Sequence, residues 1–318
     1  MNALITGVAG FIGSSLATEL TAAGHQVIGI DCFTDYYARD VKEGNLRDLM
    51  GLPNFRLVDA PLQTVALEPL LEQTSQVFHL AAQAGVRGSW GEQFRTYTTH
   101  NVDATQRLLE AVRQHPSIER LVYASSSSVY GDIATIPMRE DSAVQPVSPY
   151  GVTKLAAEHL CHLYHVNYGV PAVSLRYFTV YGPRQRPDMG FHRFIRAALT
   201  GQPITLFGDG EQTRDFTFVG DIVAATRAAG DRGRPGAVYN IGGGSRVTIN
   251  HVLALVAQLT NRTLDIRRLP AERGDMRDTF ADTSRARADL GFAPAYSLES
   301  GLAAECEWLA GLVHRSAP

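Results

Sequence analysis

Short apolar runs alternate with amphipathic stretches along more than half of the chain. Ala3-Leu4-Ile5 reads as a strand and is followed, after a glycine-rich turn, by a helical pattern reaching Leu20. Residues 26–31, 55–59, 76–81, 120–125 and 172–177 repeat the strand-like signal, with helical periodicity between them. This alternation predicts an α/β fold with a doubly wound parallel sheet, because a helical crossover returns the chain parallel to its preceding strand. Ligands on such sheets bind beyond the carboxyl ends of the strands. The positions to read for chemistry are therefore Asp31, Asp59, Ala81 to Gln83, Ser125 to Ser128 and Tyr177 to Thr179. Past Thr179 the elements shorten, and a Pro/Arg-rich loop from Gly182 to Pro187 precedes turns such as Gly208-Asp209-Gly210 and Gly242-Gly243-Gly244. The pattern predicts a first domain over residues 1–178, a segment at about 215–243 that returns to it, and a smaller α/β domain over 179–318.

Composition narrows the class. The chain has 318 residues, 45% of them hydrophobic, and a formal net charge of −3, which suits a globular enzyme-sized protein. No Lys/Arg run supplies the clustered positive charge that nucleic-acid or membrane-surface binding uses, so neither partner is expected. Cys32, Cys161 and Cys306 are odd in number and widely spaced, without metal-ligand or disulfide spacing, and the expected setting is a reducing cytoplasm. No metal is expected. The first residues enter a strand pattern directly rather than a signal segment, and no run of about 18 apolar residues suggests a membrane span.

The first turn carries chemistry. Gly7, Gly10 and Gly13 are spaced by pairs of residues between a strand and a helix, with Phe11 and Ile12 in the same turn. Glycines there permit a tight turn and let backbone N–H groups approach a pyrophosphate at the positive end of the helix. The second strand ends in Asp31, eighteen residues beyond Gly13, near the spacing of a ribose-binding carboxylate. A carboxylate accepts hydrogen bonds from a 2′-hydroxyl and repels a 2′-phosphate, and no arginine follows closely, so NAD is favoured over NADP. Farther on, Tyr150 and Lys154 lie four apart in a helical stretch and project into one space. A cation beside a phenol favours the phenolate, making a proton acceptor and donor. Ser125 to Ser128 end the strand that precedes this pair, where their hydroxyls would face a nicotinamide and a substrate carbon.

Taken together, Thr6-Gly7-x-x-Gly10-x-x-Gly13, Asp31, His79-Leu80-Ala81-Ala82, Asn101, Ser126 and Tyr150-x-x-x-Lys154 resemble the extended short-chain dehydrogenase/reductases, specifically their nucleotide-sugar epimerases and dehydratases. Gly208-x-Gly210-x-Gln212-x-Arg214-Asp215-Phe216, Asn240-Ile241-Gly242 and Ala281 to Ser284 are similar to later landmarks of that family, so the likeness spans the chain. It implies a Rossmann-like NAD-binding domain followed by a nucleotide-sugar domain. It further implies Tyr150 as base and then acid, Lys154 as the group that lowers the Tyr150 pKa and holds the nicotinamide ribose, and Ser126 as a partner of the sugar hydroxyl. Asp59, Ala60, Leu80, Ala81, Ala82, Gln83, Asn101, Ser125 and Tyr177 join the turn and Asp31 in the implied cofactor site. Phe207 stands where relatives stack a ring on uracil, and Arg214 matches an arginine that neutralises the diphosphate; Arg273 and Arg277 are further candidates for phosphate. Relatives commonly form homodimers through the helix bearing Tyr150 and the one near Asn101 to Gln114.

The reaction and the sugar follow from the same resemblance. Dehydratases carry Asp-Glu just before Val-Tyr-Gly, and UDP-glucuronate decarboxylases keep a Glu at the second of these positions. Here the pair is Ser127-Ser128, which leaves Tyr150 as the proton carrier and implies epimerisation at carbon 4 through a transient 4-keto sugar. Ala81 to Arg87, Asp35-Tyr36-Tyr37 with Lys42-Glu43, and Thr179 to Pro183 followed by Arg186 to Met189 resemble UDP-glucuronate 4-epimerases. Ser127, Ser128 and Thr179 offer hydroxyls to a uronate, and Arg87 or Arg186 offers charge. A UDP-glucose or other NDP-hexose 4-epimerase is the alternative, and an NAD-binding sensor without turnover is a remoter one.

Overall fold

The computed structural model describes residues 1–132, 135–270, 274 and 276–315. Seven strands form one all-parallel sheet: β1 (Asn2–Thr6), β2 (Gln26–Asp31), β3 (Phe55–Asp59), β4 (Gln76–His79), β5 (Arg120–Ser126), β6 (Ala172–Tyr177) and, at the edge beside β6, Val238–Ile241. Their order across the sheet is 3-2-1-4-5-6 and then the edge strand, so the winding direction reverses between β1 and β4. At that reversal the connections leave in opposite directions and a crevice opens at the carboxyl ends. The first six strands are those the hydropathy pattern predicts. The edge strand is four residues long and carries no alternating run that would announce it.

Successive side chains of a strand point to opposite faces, and here this sorts the core into two layers. Leu4, Val77, Leu121 and Tyr123 pack on one face against Leu108, Leu109, Val112, Ala157, Cys161 and Tyr164. Ala3, Ile5, Phe78, Val122 and Leu175 pack on the other against Leu16, Leu20, Ile222, Val223 and Ala229. The second layer continues into the C-terminal part through Phe191, Phe216, Phe218, Val252 and Leu302, and this continuity fixes that part over the crevice. Two smaller sheets stand there. Val180–Tyr181 and Ser245–Thr248 flank Thr213–Phe218, and Ile204–Phe207 pairs in parallel with Ile266–Leu269. No helix among the described residues is long and apolar enough to cross a membrane.

Candidate active site

The glycine turn is built by close approach. Gly7 has φ 73°, and a Cβ on it would stand 2.7 Å from the backbone of Ala81; a Cβ on Gly13 would stand 2.2 Å from the Gly7 carbonyl oxygen. Neither position admits a side chain, so the chain backbone itself forms the floor. Gly10 then starts the helix Phe11–Ala22, whose first N–H groups face the crevice. Asp31 closes the turn by accepting from the amides of Ala9 at 3.0 Å and Phe33 at 2.9 Å. These residues, with Ala60, Leu80 to Gln83, Ser125, Tyr150, Lys154 and Tyr177, line one continuous cleft. It fits an extended dinucleotide, with a phosphate cradle at one end of the turn and a carboxylate at the tip of β2.

Under this cradle lies His79, fully buried. Thr105 gives its single proton to the Asn101 carbonyl and so accepts from His79 Nε2 at 2.9 Å, which leaves Nδ1 to accept from Thr6 Oγ1 at 2.7 Å, while that oxygen accepts from the Ala81 amide. The ring is therefore the neutral Nε2–H tautomer, joining β1, β4 and the following helix. Burial, with the nearby Lys154 charge, pushes its pKa down to about 3.

Tyr150 and Lys154 sit on the helix Pro149–Tyr168. Ser148 caps it by accepting from the Gly151 amide at 3.1 Å, Pro149 occupies the first helical position, and Gly169 ends it in the left-handed conformation. Both side chains face the cleft, as their spacing predicts. Burial raises the Tyr150 pKa; a hydrogen bond with Ser126 and the charge of Arg186 pull it back down. Arg186 is thus a cation acting on the phenol. Lys154 lies 4.6 Å over the Tyr123 ring, and burial pushes its own pKa down to about 7, opposed by Cys161 and Glu158.

Beyond Tyr150 a second cleft opens between the large sheet and the C-terminal part. Ser126, Ser127, Ser128 and Thr179 converge there with Arg87, Arg186, Phe207 and Arg214, so every sugar-site residue expected from the sequence lines it. Arg193 and Gln212 line it as well. Asp188 is its one acidic side chain among the described residues, and Arg186 already grips that carboxylate through Nε at 3.0 Å and Nη2 at 2.9 Å. Arg87 lies over the Phe207 ring at 4.2 Å, a stacking partner where an aromatic base was expected. Arg214 donates to the carbonyls of Thr213 and Arg277. Arg277 pairs loosely with Asp209 at 3.8 Å and does not line the cleft, while Arg273 lies outside the described residues.

Two expected cofactor residues stand elsewhere. Asn101 is buried inside a π-helical segment, with its amide committed to the protein: it accepts from the Gln83 amide at 2.7 Å and donates to the Gln83 carbonyl and to Thr153. It braces the cleft wall without lining it. Asp59 is half-exposed and pairs with Arg39 at 2.6 Å, and it does not line the cleft that the next residue, Ala60, does. Conversely, Tyr36, Tyr37 and Lys42, quoted in the sequence for likeness alone, line the dinucleotide cleft. Their position past the end of β2 was the available signal.

Comparison with known proteins agrees with this geometry. The NAD dependent epimerase/dehydratase family matches residues 3–242. A Bacillus subtilis strain 168 protein named as an uncharacterized UDP-glucose epimerase is 45% identical over 98% of this chain and 99% of its own. A UDP-glucuronate 4-epimerase of Thermodesulfobacterium geofontis is 37% identical over 96% and 95% of the two chains. Among solved structures, the UDP-glucuronic acid 4-epimerase of Bacillus cereus in complex with UDP-glucuronic acid and NAD superposes with a TM-score of 0.95 at 42% identity, covering 98% of this chain and all of that one.

Proposed function

Because the chain belongs to the NAD-dependent epimerase/dehydratase family, we propose that it is a UDP-sugar 4-epimerase that uses NAD and converts UDP-glucuronate to UDP-galacturonate. The observation that carries this reading is the make-up of the second cleft: hydroxyls from Ser126, Ser127, Ser128 and Thr179 gather near Tyr150, Arg87, Arg186, Arg193 and Arg214 line it as well, and the sole acid among the described residues is held by Arg186. Among the described residues no free carboxylate lines the cleft to eliminate water or to protonate a carbon, so the proton chemistry rests on Tyr150. The arginines match an anionic substrate with a diphosphate and a carboxylate.

In this reading Tyr150 takes the proton of the 4-hydroxyl, with Ser126 sharing the hydrogen bond. NAD, when bound, accepts hydride from carbon 4 and later returns it to the opposite face. Lys154 and Tyr177 line the floor where the nicotinamide ribose would lie, and Gly7 to Gly13 with Asp31 would hold the pyrophosphate and the adenosine ribose. Ser127, Ser128 and Thr179 hold the uronate carboxylate. A 4-keto uronate is a β-keto acid, and a carboxylate held still by neutral donors keeps its carbon dioxide. Residues 1–178 with about 215–243 would bind NAD, and 179–318 the nucleotide sugar. A homodimer belongs to the same reading, supported by Val152, Leu163 and Val166, which lie exposed along one face of the helix Pro149–Tyr168. So does a reducing cytoplasm, supported by three unpaired cysteines.

The test incubates the purified protein with UDP-glucuronate and UDP-glucose separately, and resolves products by anion-exchange chromatography and proton NMR. UDP-galacturonate without a decarboxylated pentose is the expected product. UDP-galactose alone would give first place to the neutral-sugar reading, which the Bacillus subtilis relative's name favours.

A further inference from the structure

The Tyr36 side chain reaches from the loop after β2, on the dinucleotide side, across to the second cleft, and it lines both. Its hydroxyl donates to Asp188 Oδ2 at 3.2 Å, and Asp188 in turn holds Arg186 by two hydrogen bonds. The Arg186 guanidinium lies 5.9 Å from the Tyr36 ring centre, so the tyrosine meets the ion pair with both its hydroxyl and its face. The opposite wall makes room for this arrangement. Gly85 has φ 99°, and a Cβ there would stand 2.2 Å from the Tyr36 hydroxyl. The wall itself is pinned by Tyr97, whose hydroxyl donates to the carbonyls of Ala84 and Gly85 and whose ring meets the Tyr150 ring edge-on at 6.3 Å.

We propose that Tyr36 and Asp188 are positioning residues: they tether the Arg186 guanidinium at the junction of the two clefts so that its charge faces Tyr150. The inference deepens the proposed epimerase reading. The ionisable groups that face Tyr150 are Lys154 on its own helix, Tyr97 from the Arg87–Gly91 wall's neighbouring helix, Tyr123 from β5, Tyr36 from the loop after β2, and Arg186 with Asp188 from the loop beyond Thr179. Of the charged ones, Arg186 lowers the Tyr150 pKa, and Asp188 holds Arg186 in its charged form. Loss of the Tyr36 hydroxyl or of the Asp188 carboxylate loosens the guanidinium and weakens its pull on the phenol, so both act on Tyr150 with the same sign. A role confined to packing moves neither.

The experiment titrates Tyr150 in NAD-saturated protein by tyrosinate ultraviolet absorbance, taken as the difference between each protein and the same protein carrying Tyr150→Phe. Arg186→Gln raises the Tyr150 midpoint, and Tyr36→Phe and Asp188→Asn each raise it by less. The same variants are assayed with UDP-glucuronate and UDP-glucose. Asp188→Asn removes a negative charge from the sugar cleft and lowers the KM for UDP-glucuronate several-fold relative to UDP-glucose. Midpoints for Tyr36→Phe and Asp188→Asn that coincide with the parent protein's, or that fall below it, overturn the tether. Absence of turnover on both sugars in the parent protein overturns the epimerase reading instead, and leaves the titration to decide the tether.

Discussion

At the scale of single residues, the site depends on who holds each proton. Tyr150 is buried, hydrogen-bonded to Ser126 and faced by Arg186, so its hydroxyl is the proton carrier of the proposed reaction. Tyr150→Phe removes the exchangeable proton and keeps the ring. Turnover should fall by about 10²–10⁴-fold while NAD stays bound, as checked by steady-state rates and the nicotinamide content of the purified protein. His79 sets a different dependence. Its ring is neutral when folded, with a pKa near 3 against 6.5 when unfolded. The folded pKa is depressed for a group that is charged when protonated, so below pH 6.5 the unfolded chain takes up a proton that the folded chain refuses. Stability is full above that pH and falls as the pH drops toward 3, at about 1.4 kcal/mol per pH unit. Urea unfolding of the protein and of His79→Gln at stepped pH should show a shallower acid decline in the variant.

At the scale of elements, the helix Pro149–Tyr168 is aligned to β5 and β6 by a buried ion pair. Glu158, one turn beyond Lys154, accepts from Arg176 at 2.6 and 3.1 Å and from Ser125 at 2.6 Å, and Arg176 donates on to Tyr130 at 2.8 Å. Both side chains are only 5% exposed. Arg176→Met strands the Glu158 carboxylate in the core and should cost about 3–5 kcal/mol in denaturant unfolding, part of which Glu158→Met in the same chain restores. A second buried acid steadies the loop that carries Thr179 and Arg186. Glu305, on the last helix, accepts from the Gly182 amide at 2.7 Å, and its Oε1 meets no hydrogen-bond partner among the described residues. Burial raises its pKa well above the usual carboxylate range. A raised folded pKa means stability that is fully present below the unfolded value of 4.5 and is lost as pH rises toward the folded one. Glu305→Gln keeps an acceptor for Gly182 and removes this loss. Its melting temperature should exceed the parent's at neutral pH, with the gap closing in acid.

At the scale of the whole molecule, the two clefts meet at Tyr150 because the C-terminal part shares one hydrophobic layer with the sheet. The opposite side of the helix Pro149–Tyr168 presents Val152, Leu163 and Val166 to solvent, at 48%, 52% and 64% exposure, and Trp90 and Phe94 are exposed as well. An apolar stripe of that kind on a helix is the proposed dimer contact. Val166→Glu should halve the mass seen by light scattering if the parent is a dimer, and a parent already monomeric would remove that proposal. Exposed positions on a helix face seldom carry folding energy, so the variant should still bind NAD.

The parts legible in the sequence were local or periodic. The alternation of strand and helix, the glycine turn, Asp31 and the Tyr150/Lys154 pair each depend on neighbours within a turn or a strand, where spacing determines geometry. Ser126 to Ser128 were legible for the same reason, since the end of a parallel strand points its residues at the crevice. Other properties depend on which way a side chain turns between segments far apart in the chain, and there only the tertiary structure decided. Asn101 is turned inward to Gln83 and Thr153, Asp59 outward to Arg39, and Lys154 onto Tyr123, while Arg186 comes to face Tyr150 and is met by Tyr36, some 150 residues earlier. A carboxylate or amide goes to whichever donor or charge the fold brings within reach, and in a buried site that choice outweighs any preference written in the residue itself.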